Sequence, residues 1–311
     1  MTLPALFTLG TRGSPLALIQ ASEARRRLAQ AQGWQIESIA LKVIRTSGDA
    51  IQDRPLAEAG GRGLFTKEID AALLAGAIDA AVHSAKDLPS LMPDGVVIAA
   101  YLPREDVRDA LISALADRLE DLPREATFGA ASLRRQAQAL RLRPDLKPVL
   151  LRGNVETRLR KAESGEVGAT LLALAGLKRL GLADRARAVL DIDKFLPAPG
   201  QGAIALTARG ADPGALEALN AISDGETAAA LTAERAFLAE LEGSCRTPIA
   251  GLARLGEGGR LRLRGEVLRP DGSERFDIAV EGAPADAERL GREAGRDLAG
   301  RLPEGVLVKG G

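Results

Sequence analysis

The sequence predicts an α/β protein in which two lobes, each built on a mixed and mainly parallel sheet, precede a small C-terminal α+β domain. Short apolar strands alternate with helical segments from the start of the chain, and this alternation restarts near residue 103, which indicates two lobes. After residue 248, three segments of alternating polarity are joined by Gly-containing turns and followed by a helix, which indicates a three-stranded sheet. We therefore expect a first lobe of residues 1–102 with 203–221, a second lobe of 103–202 and a C-terminal domain of 222–311.

The composition is that of a globular protein and argues against several classes of function. A chain of 311 residues is long enough for two or three domains, and its 42 acidic and 42 basic residues leave no net charge to attract nucleic acid or a membrane. One cysteine and one histidine exclude an intramolecular disulfide and argue against a zinc or haem site. Because we find no signal peptide, no membrane-spanning run and no dimer stripe, we expect a cytoplasmic monomer.

The first lobe opens with a strand expected at 6–10 and the segment Thr11-Arg12-Gly13-Ser14-Pro15. Ser14 is a favourable N-cap and Pro15 suits a first helical turn, so a helix is predicted from there to about Gln32. The N–H groups of that turn, beside Arg12, would form an anion site, although a plain helix cap is the commoner meaning of such a segment. A second strand is expected within 36–44.

The only histidine lies where a third strand is expected to end. The Gly-rich loop 60–65 lacks the spacing of a nucleotide-binding loop and leads into a helix expected at 67–74, after which residues 77–82 form an apolar run. In an α/β protein, side chains reach a cleft at the carboxyl end of a strand, whereas an ordinary strand end with a local ion pair is the alternative. The polar group that follows this run, before Pro89 ends regular structure, is His83, Ser84, Lys86 and Asp87.

Arginines recur where strands of the second lobe give way to helices. Ser132 and Asn154 are the expected N-caps of two of these helices. Arginine offers a planar fork for carboxylates and phosphates, and only eight of the 42 basic residues are lysine. Four strands are expected in this lobe, at 110–113, 127–131, 148–151 and 169–173. Any one arginine could be a solvated surface residue, but the set at strand exits favours a cleft for polycarboxylates or phosphates: Arg12, Arg134, Arg135, Arg152, Arg158 and Arg179.

The segments after the second lobe indicate a hinge and a lone thiol. The Pro- and Gly-rich run 196–202 predicts a hinge, and a strand expected at 203–207 would return to the first lobe, so that a cleft would lie between the lobes. A helix is expected over 226–242, and Cys245 follows it. This thiol is a nucleophile, an attachment point or an inert residue. A protease-type nucleophile needs a histidine partner, and His83 with its neighbours makes no triad.

Eight short motifs follow one another along nearly the whole chain, and the ordered set is far more specific than any single motif. They are Thr11-Arg12-Gly13-Ser14-Pro15-Leu16-Ala17-Leu18, the loop 60–65, Val82-His83-Ser84-Ala85-Lys86-Asp87-Leu88-Pro89, Ser132-Leu133-Arg134-Arg135-Gln136, Leu151-Arg152-Gly153-Asn154-Val155, Ala175-Gly176-Leu177-Lys178-Arg179-Leu180, Pro199-Gly200-Gln201-Gly202 and Leu241-Glu242-Gly243-Ser244-Cys245. Together they resemble the porphobilinogen deaminase family, whose members are also called hydroxymethylbilane synthases.

The resemblance implies an enzyme of tetrapyrrole biosynthesis with three domains, two of them lobes like those of periplasmic binding proteins. It implies a dipyrromethane cofactor joined by a thioether to Cys245, onto which four porphobilinogen units are added head to tail with loss of ammonia. The linear product, hydroxymethylbilane, is then released by hydrolysis. No metal ion, nucleic acid or membrane partner is expected.

The resemblance also implies roles for individual residues. Asp87 matches the family's catalytic aspartate, which would stabilise positive charge on pyrrole nitrogens and help to move protons. His83 is then a structural neighbour of the site. Cofactor contacts are implied for Lys86, Asp87, Ser132, Arg134, Arg135 and Cys245. Contacts to the carboxylates of the incoming substrate are implied for Arg12, Ser14, Arg152, Arg158 and Arg179.

Two positions depart from the family pattern. Ala130-Ala131 stands where Thr-Ser is common, which puts two hydroxyl contacts to the cofactor in doubt, and Arg62 stands where Lys is common. Neither change removes Asp87 or Cys245. The competing class is a non-catalytic, two-lobed receptor for an anionic ligand, which would have no use for the thiol or for a carboxylate facing its ligand.

Overall fold

A computed structural model describes residues 6–50, 63–241 and 247–307 of the chain. The described residues form two compact units, the first made of the chain up to residue 105 with 203–228, and the second of 106–202 with the chain from 229 onward. The expected class, α/β lobes on mixed sheets with a three-stranded sheet at the C-terminal end, is confirmed.

The first unit contains a five-stranded sheet with helices on both faces. Its strands are β1 (Phe7–Thr11), β2 (Ile39–Val43), β3 (Ala80–Ser84), β4 (Val96–Tyr101) and β10 (Ile204–Arg209), in the order β2-β1-β3-β10-β4. Its helices are α1 (Pro15–Gln32), the short α2 (Ser47–Ala50), α3 (Lys67–Leu74) and α7 (Pro213–Asn220). β1 pairs in parallel with β2 and β3, while β10 runs antiparallel to β3 and β4. The expected return of the chain to this lobe after residue 202 is therefore confirmed.

Alternation along β3 explains why this sheet needs two layers of helices. Val82 packs into an apolar cluster with α1 and α7, whereas the adjacent Ala81 packs with Ile69 and Leu73 of α3. Successive side chains of a strand point to opposite faces, so a strand that is apolar at every position must be covered on both sides.

The second unit repeats this plan. Its strands are β5 (Asp109–Ser113), β6 (Thr127–Ala130), β7 (Lys147–Leu150), β8 (Ala169–Ala173) and β9 (Ala188–Val189), in the order β7-β6-β8-β5-β9. Its helices are α4 (Leu133–Leu142), α5 (Val155–Glu163) and α6 (Leu174–Arg179). β6 is parallel to β7 and β8, and β5 is antiparallel to β8 and β9. In each sheet, the strand in the fourth place of the order, β10 or β5, runs in the direction opposite to that of the other four strands.

The C-terminal part of the second unit is an antiparallel sheet with helices. Its elements are α8 (Gly225–Glu240), β11 (Ile249–Leu255), β12 (Leu261–Leu268), β13 (Arg275–Gly282) and α9 (Ala287–Arg301), with strand order β11-β12-β13. α8 and α9 lie so close together that a Cβ added at Gly295 would come 2.9 Å from the carbonyl oxygen of Phe237. The three strands and the final helix match the sequence-based expectation.

No helix among the described residues is both long and apolar enough to cross a membrane.

Candidate active site

The parallel strands of the first sheet bring several predicted residues to one edge. β1, β2 and β3 are parallel neighbours, so the chain leaves all three at the same side of the sheet. After β1, Ser14 caps α1, its Oγ accepting a hydrogen bond from the Ala17 backbone N–H at 3.3 Å. After β3, a 3-10 turn at Ala85–Asp87 carries Lys86 and Asp87. The predicted cap and the predicted polar strand end are both confirmed.

A pocket of about 70 Å³ lies at this edge. Arg12 and Asp87 form an ion pair in it, Nη1 lying 3.7 Å from Oδ2, with the two side chains 22% and 32% exposed. The Arg12 guanidinium also lies over the Phe65 ring, 4.3 Å from its centroid. The pocket is lined by Arg12, Ser14, Leu16, Ala17, Gln20, Phe65, Thr66, Val82, His83, Ser84 and Asp87.

The histidine in this pocket wall is held neutral by its surroundings. His83 is buried, and its Nε2 makes a 3.2 Å hydrogen bond with Oγ1 of Thr207 on β10. Burial, and to a smaller extent the nearby positive charge of Arg12, lowers the pKa of His83 to about 4. An imidazole in this state carries no positive charge at neutral pH, which agrees with a structural role.

A hydrogen bond between α1 and β3 holds Ser84 in the pocket wall. The side-chain nitrogen of the buried Gln20 on α1 lies 3.0 Å from the Ser84 hydroxyl. This contact ties the start of α1 to the end of β3, so the two segments that supply Arg12 and Asp87 are held together by side chains as well as by the sheet.

The second sheet gathers a comparable set of residues. Because β6, β7 and β8 are parallel, α4 and α5 both begin at the same edge. Ser132 caps α4, accepting from the Arg135 backbone N–H at 3.4 Å, and Asn154 caps α5, accepting from that of Thr157 at 2.8 Å. Arg152 lies between β7 and α5, and Arg158 Nε donates to the Gly153 carbonyl at 2.8 Å. Both predicted caps are confirmed.

Arg134 and Arg135 are buried and share one carboxylate. Arg134 Nη1 lies 2.8 Å from Oδ2 of Asp109, and Arg135 Nη2 lies 2.7 Å from its Oδ1. Burial alone would favour the neutral acid, but the two guanidinium groups outweigh it and hold the pKa of Asp109 well below its usual range. Gln201 of the Pro-Gly-Gln-Gly motif donates to the same Oδ1 at 3.0 Å.

Of the remaining predicted site residues, the structure describes Arg179 and Lys86, whereas Cys245 lies outside the described residues. Arg179 is the last residue of α6 rather than near its start, and its Nη2 donates to the Gly202 carbonyl at 3.1 Å. Lys86 is exposed in its turn. Cys245 and the loop positions 60–62 lie outside the described residues.

Sequence reasoning missed several residues of these sites. Phe65 and Gln20 line the pocket without having been singled out, and Asp109 is the counter-ion that the arginine pair requires. Asp109 could have been identified from the sequence, since it is an acid at the first position of an apolar strand. A buried charge of that kind needs a partner of opposite charge. Gln20 left none, because a glutamine on an amphipathic helix is usually a solvated residue.

No group of three or more histidine, cysteine, aspartate or glutamate side chains that could hold a metal ion occurs within the described ranges.

Two models of one protein family match successive parts of the chain. Residues 7–217 match the family model described as porphobilinogen deaminase, dipyromethane cofactor binding domain, and residues 228–300 match its C-terminal domain. A periplasmic substrate-binding protein of an ABC transporter from Coxiella burnetii shares 15% identity and a TM-score of 0.45, over 70% of this chain and 92% of that one. That likeness is distant.

Curated relatives are much more similar. The porphobilinogen deaminase of Nitrobacter hamburgensis is 59% identical over 299 residues, which cover 96% of this chain and 94% of that protein. The one from Nitrobacter winogradskyi is 60% identical over the same shares, and that of Paracoccus denitrificans is 54% identical over 95% of this chain and 94% of its own. With both family models matched and relatives this similar along nearly the full length, the chain belongs to the porphobilinogen deaminase family.

Proposed function

We propose that this chain is a hydroxymethylbilane synthase, a transferase that joins four porphobilinogen units head to tail and releases the linear tetrapyrrole by hydrolysis. The observation that carries the proposal is the membership of a family whose curated relatives are porphobilinogen deaminases. The Arg12–Asp87 pair in a pocket at the end of β3 supports it, since it offers a cation and a carboxylate to a substrate that carries both charges.

Asp87 is the proposed catalytic group. Loss of ammonia from porphobilinogen and attack by the terminal pyrrole both place positive charge on pyrrole nitrogens. A carboxylate within hydrogen-bond reach of those N–H groups stabilises the charge and can accept a proton. The partial exposure of Asp87 in the pocket and its ion pair with Arg12 at 3.7 Å support this role.

The arginine-rich strand exits are proposed to bind the carboxylates of the reactants. Porphobilinogen carries an acetate and a propionate, so the growing chain gains negative charge with each addition. Charge-assisted, bidentate hydrogen bonds from guanidinium groups suit such a ligand. The proposed substrate contacts are Arg12, Ser14, Arg152, Arg158 and Arg179. The proposed cofactor contacts are Lys86, Asp87, Ser132, Arg134 and Arg135, with Cys245 as the point of attachment.

The donors around Arg134 and Arg135 fit a carboxylate-bearing cofactor. Two guanidinium groups share the single carboxylate of Asp109, so the three side chains together carry one positive charge that a cofactor carboxylate could balance. Arg134 Nε is buried without a hydrogen-bond acceptor in the part of the chain that the structure describes. When bound, dipyrromethane supplies the terminal pyrrole carbon from which the product chain grows. Attachment by a thioether to Cys245 is supported by the motif 241–245 and by the absence of any second cysteine in the sequence.

The proposal also covers the domain division, the cellular location and the oligomeric state. We propose three domains, with boundaries at 1–102 plus 203–221, 103–202 and 222–311, a cytoplasmic location and a monomeric state. The three separate sheets support the domain division. The zero net charge argues against a nucleic-acid partner.

Intact mass spectrometry tests the proposal. Protein made in a host that supplies porphobilinogen should carry an adduct of two pyrrole units, and the Cys245→Ser variant should lack it. An unmodified mass in a folded, soluble sample would contradict the enzyme assignment and favour the alternative of an anion-binding receptor.

A further inference from the structure

Helix α4 carries Arg134 and Arg135, and a buried side-chain amide on the same face as Arg134 anchors the helix. Gln138 lies one helical turn after Arg134 and is 2% exposed. Its oxygen accepts a hydrogen bond from Arg134 Nη1 at 2.9 Å. Its nitrogen donates to the Leu196 carbonyl at 2.9 Å and to Oε1 of Glu266 at 2.5 Å. Both N–H groups of the amide are thereby used.

These partners allow the amide only one orientation. The Leu196 carbonyl and the Glu266 carboxyl oxygen both accept, so the nitrogen of Gln138 must face them and its oxygen must face Arg134. If the amide turned over, its NH₂ group would meet the Arg134 guanidinium and its oxygen would meet two acceptors. Unpaired polar groups of this kind are costly in a buried site.

Glu266 belongs to the C-terminal sheet, which touches α4 at a second point. It lies within β12 and is 6% exposed; burial raises its pKa, against the opposing effects of the Gln138 amide and of Arg275. In the turn between β12 and β13, Gly272 lies against the α4 backbone, where a Cβ would come 2.6 Å from the Ala137 carbonyl oxygen. The sheet therefore contacts α4 through backbone packing and through one directional hydrogen bond.

We propose that Glu266 is a positioning residue that acts through Gln138 to hold the Arg134 guanidinium in place for a cofactor carboxylate. This inference rests on the proposed role of Arg134. Neither Gln138 nor Glu266 belongs to the motifs that relate the chain to its family. The C-terminal sheet thus contributes to the positioning of the carboxylate-binding helix.

The rate of cofactor loading tests the proposal. Apoprotein made in a host without porphobilinogen is mixed with porphobilinogen, and intact mass is followed over time. Glu266→Leu removes the acceptor, and loading should slow about 10-fold, the scale of one hydrogen bond to a charged group. Glu266→Gln keeps an acceptor oxygen, so loading should stay within about 2-fold of the parent rate. Glu281→Gln, an exposed acid on the neighbouring strand β13, is the matched control and should load at the parent rate.

Each variant is compared under conditions where denaturant unfolding shows it to be folded. Loading of Glu266→Leu at the parent rate would overturn the proposal, as would a Glu266→Leu/Gln138→Leu double variant whose slowing is the product of the two single effects. If Glu266→Leu does not fold, Gln138→Met breaks the same connection from the helix side and must show the same slowing.

An Arg134→Met variant separates this inference from the proposed function. If Arg134→Met loads at the parent rate, the cofactor role of Arg134 is wrong and the positioning role falls with it. If Arg134→Met slows loading while Glu266→Leu and Gln138→Met do not, only the positioning role is wrong.

Discussion

Lowering the pH from 7 to 5 should reduce the free energy of unfolding by about 2 kcal/mol through His83 alone. The ring has a pKa of about 4 in the folded protein, against its ordinary value of 6.5, because it is buried and faces Arg12. Between these values the unfolded chain binds a proton that the folded chain does not, so the free energy of unfolding falls as the pH falls. The full difference, reached below pH 4, corresponds to about 3.5 kcal/mol at roughly 1.4 kcal/mol for each pH unit between 6.5 and 4.

Urea unfolding of the parent protein and of His83→Gln at several pH values measures this effect. Carboxylates contribute the same pH dependence to both proteins, so the difference between the two curves isolates the imidazole. Because His83 is the only histidine, its ring signals in a proton NMR spectrum need no assignment and report its titration directly. Parallel stability curves, or a ring that titrates near 6.5, would refute the assignment of a neutral, buried imidazole.

Three further outcomes are expected. Asp87→Asn should still carry the cofactor by intact mass but turn over at least ~100-fold slower, the scale of losing one preorganised charge, and near-normal turnover would move the catalytic role elsewhere. Arg152→Ala should raise KM for porphobilinogen through loss of a charge-assisted contact, and an unchanged KM would exclude Arg152 from the substrate site. Gly272→Ala should destabilise the protein by about 1–3 kcal/mol more than Gly258→Ala in urea unfolding, since both residues have positive φ but only Gly272 lies against backbone. Equal losses of stability in the two variants would show that α4 moves away from the added methyl group without a loss of free energy.

Local features were predicted well because their causes are local. The caps Ser14, Ser132 and Asn154 lie where the sequence placed them, since a hydroxyl or amide three residues before a backbone N–H acts within one turn. The expected helix at 67–74 matches Lys67–Leu74.

Strand limits were predicted less well because pairing decides them. The strand expected at 77–82 is observed at Ala80–Ser84, where β1 and β10 supply hydrogen-bonding partners. The two-residue strand Ala188–Val189 and the helix Pro213–Asn220 were missed. A strand of two residues has no periodicity to detect, and only the neighbouring β5 makes it a strand.

The sequence by itself determined the family and the candidate residues, because both depend on residue types in a given order along the chain. Only the tertiary structure decided the partners of those residues: Asp87 with Arg12, Asp109 with the arginine pair, and Glu266 with Gln138. Gln138 and Glu266 are 128 positions apart, and no local pattern links them. Such pairs arise because the topology of the sheets brings distant strand ends and helices together, and burial then leaves each polar group only the partners within reach.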